Sequence, residues 1–147
     1  MAIKINTEKR IFTLETKHTM YQMQADTYGV LRHLWYGAKT GCDMSYLQDY
    51  PDVGFSGNPH DAGNDRTYSL DTLPLEYAGA GIGDFRVPAV EAVHADGSCA
   101  LDLRYYSHTV KQGKYAIAGL PALYAGEDEA ETLEVVLRDT ASAVEVT

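Results

Sequence analysis

The chain has 147 residues, enough for one domain with one hydrophobic core and too few for two, since domains commonly hold about 100 to 200 residues. At 45% hydrophobic and 22% charged residues, its composition lies far from that of a disordered segment. Twelve Lys and Arg against 21 Asp and Glu leave a net charge of −9, and the basic residues are scattered, which excludes the positive patch that a nucleic-acid or anionic-membrane partner requires.

No stretch approaches the roughly 18 apolar residues of a membrane-spanning helix, and the opening MAIKINTEKR lacks the apolar centre of a signal peptide. A soluble, cytoplasmic protein is expected. Cys42 and Cys99 form neither a CxxC pair nor a zinc knuckle and read as free thiols.

Short alternating runs rich in Val, Ile, Thr and Tyr, bounded by Gly, Asp, Asn or Pro, predict an all-β fold, an antiparallel β-sandwich. Phe12 and Leu14 alternate with polar neighbours between Arg10 and Thr16, and Tyr21 and Met23 do so between Thr19 and Ala25. From Val30 to Tyr36, Leu31, His33 and Trp35 fall on one face and Arg32, Leu34 and Tyr36 on the other. Apolar weight on both faces predicts a central strand.

From Gly37 to Arg86 the periodicity fails for about fifty residues, a length that is uncommon for a loop unless it is functional. This long irregular loop mixes carboxylates with aromatic rings, a mixture suited to sugar hydroxyls and sugar faces. Beyond it, Val90 and Ala92 lead into Asp96-Gly97, read as a hairpin turn, with Leu101, Leu103 and Tyr105 alternating on the return. A further strand is expected from Thr132 to Arg138 and a last one from about Ala143. The chain stops inside that last pattern, so a single domain spanning 1–147 and truncated at its C-terminal end is expected.

Gly79, Gly81 and Gly83 have GxGxG spacing with Pro88 where a Rossmann helix would have to run, which favours a tight bend over a phosphate loop. His18, His33, His60, His94 and His108 show no HxH, HxxxH or HExxH spacing, so no metal site is expected. Ser56 lies outside any GxSxG elbow. The run Glu127-Asp128-Glu129 with Glu131 lacks a calcium-loop register and reads as a solvated turn. No cofactor is implied.

At Asp65-Arg66-Thr67-Tyr68-Ser69-Leu70-Asp71-Thr72-Leu73-Pro74-Leu75-Glu76-Tyr77, and again at Gly81-Ile82-Gly83-Asp84-Phe85-Arg86-Val87-Pro88-Ala89, the sequence resembles the N-terminal domain of glycoside hydrolase family 36 α-galactosidases. The match continues through Asp96-Gly97-Ser98, Asp102-Leu103-Arg104-Tyr105, Gly119-Leu120-Pro121-Ala122 and Glu129-Ala130-Glu131-Thr132-Leu133. This resemblance implies part of a β-supersandwich that precedes a (β/α)8 barrel, in a parent enzyme that removes terminal α-galactose from raffinose- or melibiose-type sugars with retention. Retention needs two carboxyl groups about 5 to 5.5 Å apart, and the family carries both in the barrel. The barrel's Lys-Trp-Asp motif has no counterpart here, where Trp35 is the only tryptophan and precedes Tyr36. No catalytic residue is therefore assigned to this chain.

In oligomeric members of the family, a loop of this domain offers an acid to the sugar in a neighbouring subunit. Anchored on Phe55-Ser56-Gly57-Asn58-Pro59, the matching acid here is Asp52, with Asp49 as the fallback if the loop aligns with a gap. The implied partners are the α-galactoside, the remainder of the parent chain and further copies in a homo-oligomer. Asp65, Arg66, Glu76, Asp84 and Arg86 read as scaffold, opposite charges that hold Gly-rich bends. The alternative is a stand-alone carbohydrate-binding or structural β-sandwich module.

Overall fold

The computed structural model describes residues 2–48, 58–122, 124–126 and 129–147. The described residues form seven strands in two antiparallel sheets and two short 3-10 helices. The first sheet runs in the order β1 (Ala2–Asn6), β2 (Ile11–Glu15), β3 (Thr19–Ala25) and β4 (Leu31–Ala38). The second runs β5 (Leu103–Gln112), β6 (Glu131–Asp139) and β7 (Glu145–Val146). The all-β expectation is met.

Alternation decides which side chains meet between the sheets. Phe12, Ala25 and Leu31 of the first sheet close against Leu101, Leu103 and Leu137, with the Phe12 ring edge-on to His108 at 4.9 Å. Phe12 is fully buried, so its truncation to Ala would cost about 3–5 kcal/mol. On the opposite face of the first sheet, Ile11, Met20, Leu34 and Met44 form a smaller cluster with Trp35. Apolar weight on both faces of β4 thus reflects two separate cores.

That strand is nonetheless the last of its ladder, not a central one. Its outer edge is covered by the irregular segment 74–76 in place of a strand: the His33 amide donates to Pro74 at 2.8 Å, and the Glu76 amide donates to Leu31 at 2.9 Å. A bulge also rearranges its faces, because Met23 pairs with His33 while Gln22 pairs with Trp35, leaving Leu34 as an extra residue. Tyr36 is carried to the same face as His33, and Trp35 joins Leu34 on the other.

Two further expectations change. The Asp96-Gly97 turn forms, with the Gly97 amide donating to His94 at 2.9 Å and a φ of 84°, but its flanks do not build a hairpin ladder. Instead the Ala80 amide donates to Val90, the Leu101 amide donates to Ala80, and β5 takes β6 as its partner. β1, absent from the expected strands, pairs along the whole of β2. The bend at the glycines is as expected: Gly81 and Gly83 adopt φ of 76° and 92°, values that only glycine takes without strain.

A candidate sugar-contact loop and its framework

Asp52 and Asp49 both lie outside the described residues; what the structure gives is the framework on either side of them. On the upstream side two glutamines hold the chain. Gln22 of β3 donates to the Cys42 carbonyl at 3.0 Å and accepts from the Met44 amide at 3.0 Å. Gln48, at the end of the 3-10 helix Ser45–Gln48, donates to the His33 carbonyl at 2.9 Å. Between these clamps Asp43 accepts from Lys9 at 2.7 Å and from the Ser45 amide at 2.8 Å. Those bonds, Lys9 first, hold its carboxyl down at about 2.

Downstream, the chain resumes at Asn58, whose side-chain amide donates to the Asp65 carbonyl. A second 3-10 helix, His60–Ala62, follows. Asp65 accepts from the Thr67 amide and hydroxyl, an Asx turn that reverses the chain. Ala62 then buries with Val30, Tyr68, Leu70 and Leu73 in a small core of the loop's own. This core anchors residues 62–73 on Val30, just ahead of β4.

A buried carboxylate pins that core to the sandwich. Asp26, at the end of β3, accepts from the Tyr28 and Val30 amides through one oxygen and from the Tyr68 hydroxyl, at 2.6 Å, through the other. Arg32 stands 3.4 Å away. Burial, then the bond to Asp26, raises the Tyr68 hydroxyl far above its ordinary range. Arg86 donates to the Leu70 and Leu73 carbonyls and forks onto Asp84. Burial alone would raise Asp84, but the bonds from Arg86 outweigh it and leave the carboxyl below the usual range. Arg104 likewise joins Asp102 to the Tyr28 carbonyl. These groups act as scaffold.

Sequence reasoning treated Tyr21, His33 and Glu76 separately, and the fold joins them. The Tyr21 hydroxyl donates to Glu76, and His33 Nδ1 lies 3.2 Å from that hydroxyl and 3.3 Å from the second oxygen of Glu76. Burial, then Glu76, raises the tyrosine well above its ordinary range. The usable signal was His33 beside Tyr21 on neighbouring strands; the bulge and the 55-residue separation of Tyr21 from Glu76 were not legible. Among the described residues no group of three or more His, Cys, Asp or Glu side chains is placed to hold a metal ion. No helix of the described residues is long and apolar enough to cross a membrane.

Comparison with known proteins places this geometry. The model of the glycosyl hydrolase family 36 N-terminal domain matches residues 29–147. The chain is 53% identical over 146 residues to the bifunctional alpha-galactosidase/sucrose kinase AgaSK of Mediterraneibacter gnavus, covering 99% of this chain and 16% of that protein. To alpha-galactosidase AgaA of Geobacillus stearothermophilus it is 41% identical, covering 100% of this chain and 20% of the relative. The solved galactosidase domain of AgaSK superposes with a TM-score of 0.91 at 52% identity, over 98% of this chain and 20% of that one. An AgaA variant in complex with raffinose superposes with a TM-score of 0.81 at 40% identity, over 92% and 19%. The chain thus spans about a fifth or less of the relatives it matches.

Proposed function

Because the chain belongs to the glycosyl hydrolase family 36 N-terminal domains, we propose that it is the non-catalytic β-sandwich part of a retaining α-galactosidase acting on raffinose- or melibiose-type sugars. In that role it packs on the catalytic barrel, supports a homo-oligomer and lends Asp52 to a neighbouring subunit's sugar pocket. The observation that carries the reading is the framing of residues 49–57. Gln48 is tied to β4 and Asn58 to the Asx turn at Asp65, so the described residues on both sides of the segment bearing Asp49 and Asp52 are held by the domain. A rigid frame under a loop is what a contact donated to another subunit requires. A cytoplasmic setting suits the two exposed free thiols, Cys42 and Cys99.

The chemistry of retention needs a nucleophile and an acid/base together. Asp26, Asp43 and Asp84 are engaged in the framework described above, which supports placing that pair in the barrel. The purified chain should therefore release no phenol from an aryl α-galactoside. Hydrolysis that scales with the amount of protein and is absent from a mock preparation would overturn the reading.

A further inference from the structure

The connection between β5 and β6 breaks the pattern of the other turns. Thr7, Glu8 and Lys9 join β1 to β2, and Thr16, Lys17 and His18 join β2 to β3, polar residues that water can solvate. From Tyr115 to Tyr124, by contrast, the sequence carries no charged residue at all. Tyr115, Ile117 and Leu120 are 63%, 53% and 60% exposed, Tyr124 is fully exposed, and none of the four belongs to the three buried clusters.

The apolar tip is held in a set shape on a fastened foot. The Gly113 amide donates to the Ala130 carbonyl at 2.9 Å, the Thr132 hydroxyl donates to the Gly113 carbonyl at 2.8 Å, and Ala130 itself is buried. At the tip the Leu120 amide donates to Ile117 at 3.0 Å, a turn closed by Gly119 at a φ of 82°. A preformed apolar turn loses little freedom on docking. The outer face of the same sheet is built for water instead: Lys111 pairs with Glu134, and Arg138 pairs with Glu145 while covering the Tyr106 ring. A partner therefore meets this sheet at the tip.

Area decides which partner. Two tyrosines at about 150–250 Å² each, with one Ile and one Leu, present roughly 500 Å², short of the roughly 800 Å² per side that holds two free molecules together. A tethered partner needs less, because linkage makes docking intramolecular, at an effective concentration of about millimolar. The chain spans about a fifth or less of its relatives, so a parent enzyme of their length carries most of its surface outside residues 1–147.

We propose that residues 115–122 form a docking arm that enters an uncharged, apolar hollow of the same parent chain outside residues 1–147, with Ile117 and Leu120 at its centre. This inference rests on the reading of the chain as part of a longer α-galactosidase and assigns the contact to one element of it.

The test uses the full-length enzyme carrying this domain, with the photoreactive residue p-benzoylphenylalanine replacing Leu120, a side chain outside the buried clusters. Illumination should give an adduct with the mass of one chain, mapped to a peptide beyond residue 147. An adduct with the mass of two chains would overturn the proposal in favour of a second copy, and one confined to residues 1–147, or none, would overturn it outright. In the same enzyme Leu120→Asp should speed amide exchange across residues 115–122 by at least about tenfold; unchanged exchange would contradict docking. Hydrolysis of an α-galactoside by the unsubstituted enzyme reports on the proposed function and the adduct on the arm, so the two fail separately.

Discussion

The Tyr68 hydroxyl donates to Oδ2 of Asp26 at 2.6 Å, joining the core of the long loop to the end of β3 across 42 residues of sequence. Both residues are buried, at 6% and 4% exposure, so water cannot replace the bond if it is lost. Tyr68→Phe removes the donor and leaves the ring in place. A hydrogen bond to a charged group contributes about 1.5–3 kcal/mol, and that loss should appear as a lower urea midpoint with an unchanged slope. An unaltered midpoint would mean that the loop core stands without its tie to Asp26.

The Lys9–Asp43 pair carries a pH dependence of definite sign. The Asp43 carboxyl is lowered from 3.8 to about 2, so its contribution is complete above its unfolded value and is lost as pH falls from about 4 toward about 2. Asp43→Asn should lower the denaturation midpoint near neutral pH, and the gap to the unsubstituted chain should narrow through that window. The exposure of the pair keeps the effect modest. A gap that stays constant from neutral pH down to about 2 would contradict the assignment.

Gly79 sits where two backbones nearly touch. A Cβ built there would lie 2.0 Å from the Leu101 carbonyl oxygen, and the adjacent Leu101 amide donates to Ala80 at 2.9 Å. Gly79→Ala must therefore push these segments apart, with a destabilisation of about 1–3 kcal/mol or more. Thermal melting at matched concentration checks this; a melting temperature equal to that of the unsubstituted chain would show that the segments yield freely.

Strands β2, β3 and β6 were legible because Phe12 and Leu14, Tyr21 and Met23, and Leu133, Val135 and Leu137 recur at a period of two along the chain. Phe12 and Met23 pair across the first sheet on the side facing the second, as their alternation indicates. The position of β4 was not legible. A strand reads as apolar on both faces whether further strands flank it or, as here, a short cluster around Leu34 and Met44 covers its outer side. Asp96-Gly97 encoded its own turn but carried no information about partners: residues 78–80 compete for the flanks, and β6 offers β5 a ladder from Leu103 to Gln112. The loop's carboxylates were readable as framework where the partner is local, as in Asp84 with Arg86. Asp26 was not, since its partner Tyr68 arrives from the far end of the loop. Asp52 came from the family resemblance alone, and residues 49–57 remain outside the described residues.

The measurement that bears most directly on the proposed role is the kinetics of Asp52→Ala in the full-length enzyme carrying this domain, with the oligomer mass determined on the same samples. A charged hydrogen bond to galactose worth about 1.5–3 kcal/mol corresponds to a fall in kcat/KM of about 10- to 150-fold, at about 1.4 kcal/mol per tenfold. The fall should lie largely in KM if the contact is equal in the ground and transition states. Dissociated subunits should share the defect, because the carboxylate would then have no neighbouring site to enter. An intact oligomer with unchanged kcat/KM for raffinose and melibiose would contradict the assignment of Asp52 and pass the test to Asp49.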